Sequence, residues 1–248
     1  MLARALGAGV PAGWVAGDEV YGANPALRAR IRTLGLGYAL MIACNTYVPT
    51  PAGSMRADEY AKTAPKGGWQ RRSAGQGSKG PRYYDWLWCE LLPEHAGDTG
   101  RHWLLVRRNS STGELAYLRC YSPRRVPLNT LIRVAGQRWR IEENFQSAKG
   151  LTGLDQHQVR RWKSWHRWTT LAMFAHAFLA VATVIERDHA PAPATMIELT
   201  VNEFRHLFDA LHLREKPNPE RLRAWSVWRR RHQAQARACH YRRHQNHQ

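Results

Sequence analysis

An α/β fold carrying a β-rich insertion and a basic helical tail is what this sequence predicts, from three observations. Two short apolar runs flank an amphipathic segment near the N-terminus, in strand–helix–strand order. The texture then changes from about residue 51 to 124 into alternating, aromatic-rich runs separated by turn residues. Beyond about residue 125 the helical period returns.

The opening stretch MLARALGAG reads as a short helix stopped by glycine. GWVAG is a buried strand ending at Asp18. In GANPALRARIRTLGLG, Asn24 can cap a helix, Pro25 suits its first turn and Gly35 ends it. GYALMIAC follows as a second buried strand, so the two strands should run parallel across a helical crossover. In such units functional groups gather at the carboxyl ends of strands, where Asp18 sits. The segment TAPKGGWQRRSAGQGSKGPR holds no acid and reads as a flexible basic loop bearing Arg71, Arg72 and Lys79. YYDWLWCELL is a strand whose Trp86 and Trp88 share one face, and HWLLVRRNSSTGELAYLRCYS is a hairpin turning between Asn109 and Gly113. A helix runs to Gly150, and a second spans about 158 to 187. Its stretch TTLAMFAHAFLAVATVI is apolar but short for a bilayer and holds His176, so a buried core helix is expected. Pro191 and Pro193 mark a linker to the basic tail. The expected organisation is therefore 1–50 and 125–190 as two parts of one α/β body, 51–124 as the insertion and 191–248 as the tail.

Lys and Arg total 37 against 19 Asp and Glu, a net charge of +18. So large an excess repels itself in a compact fold and favours a polyanionic partner, because each phosphate contact releases a counterion. Nucleic acid is the expected partner, and a membrane is not. Four scattered cysteines with no C-x-x-C pair argue against a disulfide framework or a zinc ribbon and suit the cytoplasm. Cys239, His240 and His244 lack the second cysteine pair that a zinc site needs. His157 and His176 are expected to pack or hydrogen-bond.

The stretch RWRIEENFQSAKG, residues 138–150, is the most informative. At about 100° per residue, Glu142 lies about 40° from Arg138, Lys149 about 20° and Phe145 about 20° to the other side. One narrow helical face thus carries Arg, Glu, Phe and Lys, while Glu143 falls on another. Taken alone, this is also the spacing of an intrahelical Arg138–Glu142 ion pair, worth a few tenths of a kcal/mol.

This stretch resembles the Tyr-x2-Arg-x3-Glu-x6-Lys signature of DDE transposases from bacterial insertion sequences. Arg138, Glu142 and Lys149 match at the right spacing, and the tyrosine position is Ala135. WVAGDEVYGANPALRARI resembles the family's second-aspartate segment, with Asp18 as that aspartate; WQRRSAGQGSKGPRYYDW and GLDQHQVRRWKSWHRW are also similar to the group. The resemblance implies an RNase H-like fold interrupted by a β-rich insertion. It implies hydrolysis and strand transfer at insertion-sequence ends by two Mg²⁺ ions held on three carboxylates. Asp18 and Glu142 would be metal ligands and catalytic residues; Arg138 and Lys149 would contact phosphates beside Trp139; Arg71, Arg72 and Lys79 would add DNA contacts. Partners would be double-stranded DNA in the nucleoid, with a second copy or a full-length transposase.

Residues 1–17 hold no Asp or Glu, so the family's first aspartate has no counterpart there. The expectation is an N-terminally incomplete RNase H-like domain, inactive alone. The alternative is a non-catalytic DNA-binding or inhibitory partner of a full-length transposase. Trp162, Trp165 and Trp168, among Arg160, Arg161, Lys163 and Arg167, could stack bases, although their three-residue spacing favours a helix packing on the body.

Overall fold

The computed structural model describes residues 1–77, 80–95, 97–158, 160–213 and 218–245. The chain is mixed α/β and divides into two compact units, Met1–Ile141 and Glu142–Gln248.

The first unit begins with α1 (Leu2–Gly7), β1 (Trp14–Gly17), a short α2 (Glu19–Gly22), α3 (Pro25–Thr33) and β2 (Gly37–Ile42). The capping residues act as the sequence predicts: the Asn24 side chain accepts from Leu27 N at 3.0 Å, Pro25 opens α3, and Gly35 takes a φ of 70° beyond its end. β1 and β2 run parallel, with Trp14 opposite Gly37 and Gly17 opposite Leu40. A hairpin of β3 (Tyr47–Thr50) and β4 (Gly53–Arg56) follows, then α4 (Ala57–Lys62); the sequence did not signal these three elements.

Strands β5 (Gln70–Gly77), β6 (Gly80–Leu91), β7 (Arg101–Arg108) and β8 (Leu115–Ser122) join β1 and β2 in one six-stranded sheet of order β1-β2-β8-β7-β6-β5. β8 pairs antiparallel with β2, so the insertion strands extend the sheet of the parallel pair. The expected flexible basic loop is mostly strand. Arg71 and Arg72 lie on β5, opposite Asp85 and Tyr84 of β6. The backbone ladder, which needs no apolar side chains, orders this edge, and a bulge between Ser73 and Gln76 absorbs Gly75.

α5 (Leu128–Thr152) starts in this unit and crosses into the next. Its Leu128, Leu131, Ile132 and Val134 pack against Ala39, Trp86, Trp103, Leu105, Leu118 and Cys120. Tyr38, Leu40 and Tyr121, which alternate with those residues along β2 and β8, pack with Ile31 of α3, while Leu104, Val106 and Tyr117 pack with Val48 and Ala57. Both faces of the sheet are thus covered.

The second unit contains the rest of α5, then α6 (Trp162–His189), α7 (Val201–Phe208) and α8 (Pro219–Gln245). α6 corrects an expectation. Only Ala172, Leu179 and Thr183 are buried on it, whereas Leu171, Phe174, Phe178, Val181 and Ile185 are exposed. It is buried along one stripe, with Phe178 also edge-on to Phe208 of α7, so an apolar sequence did not make it a core helix. It is also long and apolar enough to cross a membrane by length and composition, a test that soluble core helices pass too.

Candidate nucleic-acid interface

Asp18 follows the last residue of β1 and caps α2, its Oδ1 accepting from Val20 N at 3.2 Å. The backbone around it is tightly placed. A side chain at Gly22 would meet the Met41 carbonyl oxygen, and the Gly22 carbonyl accepts from Arg28 Nη1. Asp18 is therefore half-buried at the carboxyl end of a parallel strand, as the sequence predicts, while Glu19 is exposed on α2.

α5 is unbroken through the motif, so Arg138, Glu142, Phe145 and Lys149 fall on one helical row. Arg138 is half-buried, Glu142 and Lys149 are exposed, and Arg138 and Glu142 each have an interaction partner. Trp139 is 47% exposed. Ala135, at the position of the signature's tyrosine, packs against the sheet core. At Gly136 the helix comes so close to β5 that an added Cβ would clash with the Ala74 carbonyl oxygen, and Arg82 Nη2 donates to the Gly136 carbonyl at 3.3 Å. Beyond Glu142, Ser147 bonds His176 of α6 at 3.0 Å and Ala148 is buried. Asp18, Arg138 and Trp139 belong to the first unit; Glu142 and Lys149 belong to the second.

Arg71 and Arg72 are exposed on the edge strand β5, and Lys79 lies outside the described residues. Trp86 is core, whereas Trp88 stacks on Trp103 at 6.0 Å beside a cavity of about 300 Å³ that Glu90, Arg101 and Arg125 complete. Glu90 and Arg101 pair there at 3.0 Å. Sequence reasoning missed Trp103, Arg101 and Arg125. The hairpin register, which sets Glu90 opposite Trp103, is the signal that finds them.

A second cluster went unpredicted because its members are far apart in sequence. Glu94 is shared by Arg28, Arg32 (2.9 Å) and Arg119 (3.1 Å), with Asp98 also on Arg32. Burial would raise the Glu94 carboxyl, but the Arg28 hydrogen bond and the charges of Arg119 and Arg28 hold it down at about 2. Burial, opposed in part by the neighbouring arginines, pushes the Tyr38 hydroxyl up to about 12. This cluster ties the loop after β6 to α3 and β8.

Among the described residues no three His, Cys, Asp or Glu side chains converge on a common point. Asp18 and Glu142 are hard-oxygen donors of the type Mg²⁺ prefers. They do not by themselves make up the three-carboxylate site that the transposase resemblance implies. No known protein-family model matches the chain, and no curated protein matches it significantly.

Proposed function

We propose that this chain is an RNase H-like DDE transposase region that binds the duplex ends of an insertion sequence. The carrying observation is the Arg138–Glu142–Lys149 row on the uninterrupted α5. The position of Asp18 at the carboxyl end of β1, where the family's second aspartate belongs, supports it. In this reading Arg138 and Lys149 hold phosphates, Trp139 lies against the DNA, and Arg71, Arg72 and Lys79 extend the contact. Trp88, partly exposed over the buried Trp103 and with Arg101 and Arg125 beside it, is the ring of this cluster that could meet a distorted end. Mg²⁺, when bound, supplies activation of the attacking oxygen and neutralisation of the leaving one. Asp18 and Glu142 are the two carboxylates of this chain that the family resemblance would assign to holding it. The location that follows is the nucleoid, and a second copy or a full-length transposase is the natural protein partner.

The excess of 18 positive charges, which serves DNA binding with or without cleavage, supports a second reading, a non-catalytic DNA-binding partner of a full-length transposase. One experiment addresses both. Duplex binding is measured against salt, and nicking is assayed with Mg²⁺. The expected outcome is binding that falls steeply with salt, weakened severalfold by Arg138→Ala and Lys149→Ala, without cleavage. Mg²⁺-dependent nicking that Glu142→Gln abolishes would establish catalysis and remove the second reading. Affinity indifferent to salt and to both substitutions would remove both readings.

A further inference from the structure

Two places in the second unit repeat one arrangement. At the start of α6, Trp162 and Trp165 stack in parallel at 5.2 Å, and His166 packs edge-on against them at 4.2 and 5.1 Å. On α8, Trp225 and Trp228 stack at 4.9 Å, and His232 continues the ladder at 4.2 Å. These tryptophans are not packed away. Trp162 is 70% exposed, Trp165 43%, Trp225 52% and Trp228 48%. Trp162 and Trp165 are thus exposed and packed on each other and on His166. Trp168 alone is docked, donating to the Gly153 carbonyl at 2.9 Å.

The surroundings are cationic at both places. Arg160, Arg161, Lys163 and Arg167 flank the first pair, and no Asp or Glu occurs between Gln156 and Ile185. The exposed Arg221, Arg223 and Arg231 flank the second, and no Asp or Glu follows Glu220. The Arg229 guanidinium lies 5.8 Å from the Trp225 ring centre and is held by Glu203 at 2.7 Å. Beside Trp225 and Trp228 lies an open groove of about 750 Å³ lined by Asn218, Arg221 and Leu222.

We propose that these two tryptophan pairs are stacking platforms for unpaired bases of a single-stranded nucleic acid, whose phosphates are met by the flanking arginines. Exposed flat rings among cations suit this ligand above others. Every base has a π-face, so stacking tolerates any sequence, and the backbone supplies the negative charge. A duplex already buries its base faces against one another, so only unpaired nucleotides can use the rings. The inference stands apart from the transposition reading, since it needs neither an insertion-sequence end nor a divalent metal.

The test uses the full chain without divalent metal. The probes are a labelled thymidine oligonucleotide, an abasic strand with the same number of phosphates, and a hairpin duplex. The thymidine strand should quench tryptophan fluorescence and bind about tenfold or more tighter than the abasic strand. Trp162→Leu with Trp165→Leu, and Trp225→Leu with Trp228→Leu, should each remove much of that advantage. Duplex affinity and the slope of affinity against salt should stay unchanged, because the phosphate contacts remain. Circular dichroism checks that the variants fold. Equal affinity of the wild-type chain for thymidine and abasic strands would overturn the proposal, an arm that depends on no variant. So would folded leucine variants that bind the thymidine strand as the wild type does.

Discussion

His102 is fully buried on β7, tilted against Tyr121 at 5.0 Å, and neither ring nitrogen has a hydrogen-bond partner among the described residues. Burial first, then the charges of Arg32 and Arg119, lower its pKa to about 4, against the raising influence of Asp98 and Glu94. An unfolded histidine titrates near ~6.5. Between these values the unfolded chain takes up a proton that the folded chain excludes, so stability falls as pH drops from about 6.5 towards 4 and His102 adds nothing further below that. Glu94 acts in a lower window. Its depressed carboxyl contributes stability above the unfolded value of ~4.3, and that contribution is lost as pH falls towards 2. Urea unfolding at pH 7 and 4.5 should show a loss on the order of 2 kcal/mol that His102→Phe, which can keep the packing on Tyr121, largely removes. Parallel losses in the two proteins would assign the effect to other groups.

At the scale of elements, α6 shows how far a hydrophobic pattern reaches. Its buried stripe, Ala172, Leu179 and Thr183, lies apart from the exposed Leu171, Phe174, Val181 and Ile185, and Phe178 between them is half-exposed beside Phe208. A helix apolar on both sides is legible as a helix, but which side meets the body is not written in its period. The exposed side should bind the dye ANS while the chain is folded, and Phe174→Gln with Val181→Gln should cut that fluorescence by about half, in line with the apolar surface removed. Undiminished fluorescence would place the dye elsewhere. α5 was read more completely. Its apolar residues packed on the sheet from Leu128 to Val134 and its charged row from Arg138 to Lys149 are both local patterns, each with a helical period.

For the whole molecule, the excess of 18 positive charges sets the response to salt. Raising ionic strength shortens the Debye length from about 14 Å at 50 mM to about 6 Å at 300 mM, screening repulsion among the surface arginines. The buried pairs of Arg28, Arg32 and Arg119 with Glu94 are screened less. The melting temperature should therefore rise over that salt range in the absence of nucleic acid. A fall would mean that exposed ion pairs such as Arg101–Glu90 outweigh the self-repulsion.

The sequence by itself determined the elements whose causes are local: the Asn24 cap and Pro25 start of α3, the parallel pair β1 and β2, the β7–β8 hairpin, and the charged row of α5. It also singled out Asp18 and Glu142 as the acids to watch. Only the tertiary structure decided what depends on partners distant in the chain. It turned the Gly- and Arg-rich segment into β5 because β6 offered a backbone ladder, gathered three arginines on Glu94, set Trp103 beside Trp88, and left the stacked pairs Trp162–Trp165 and Trp225–Trp228 exposed. A cap, a turn or a helical face is fixed by residues within a few positions of one another. A ladder, an ion cluster or an uncovered ring is fixed by what the fold brings, or does not bring, alongside.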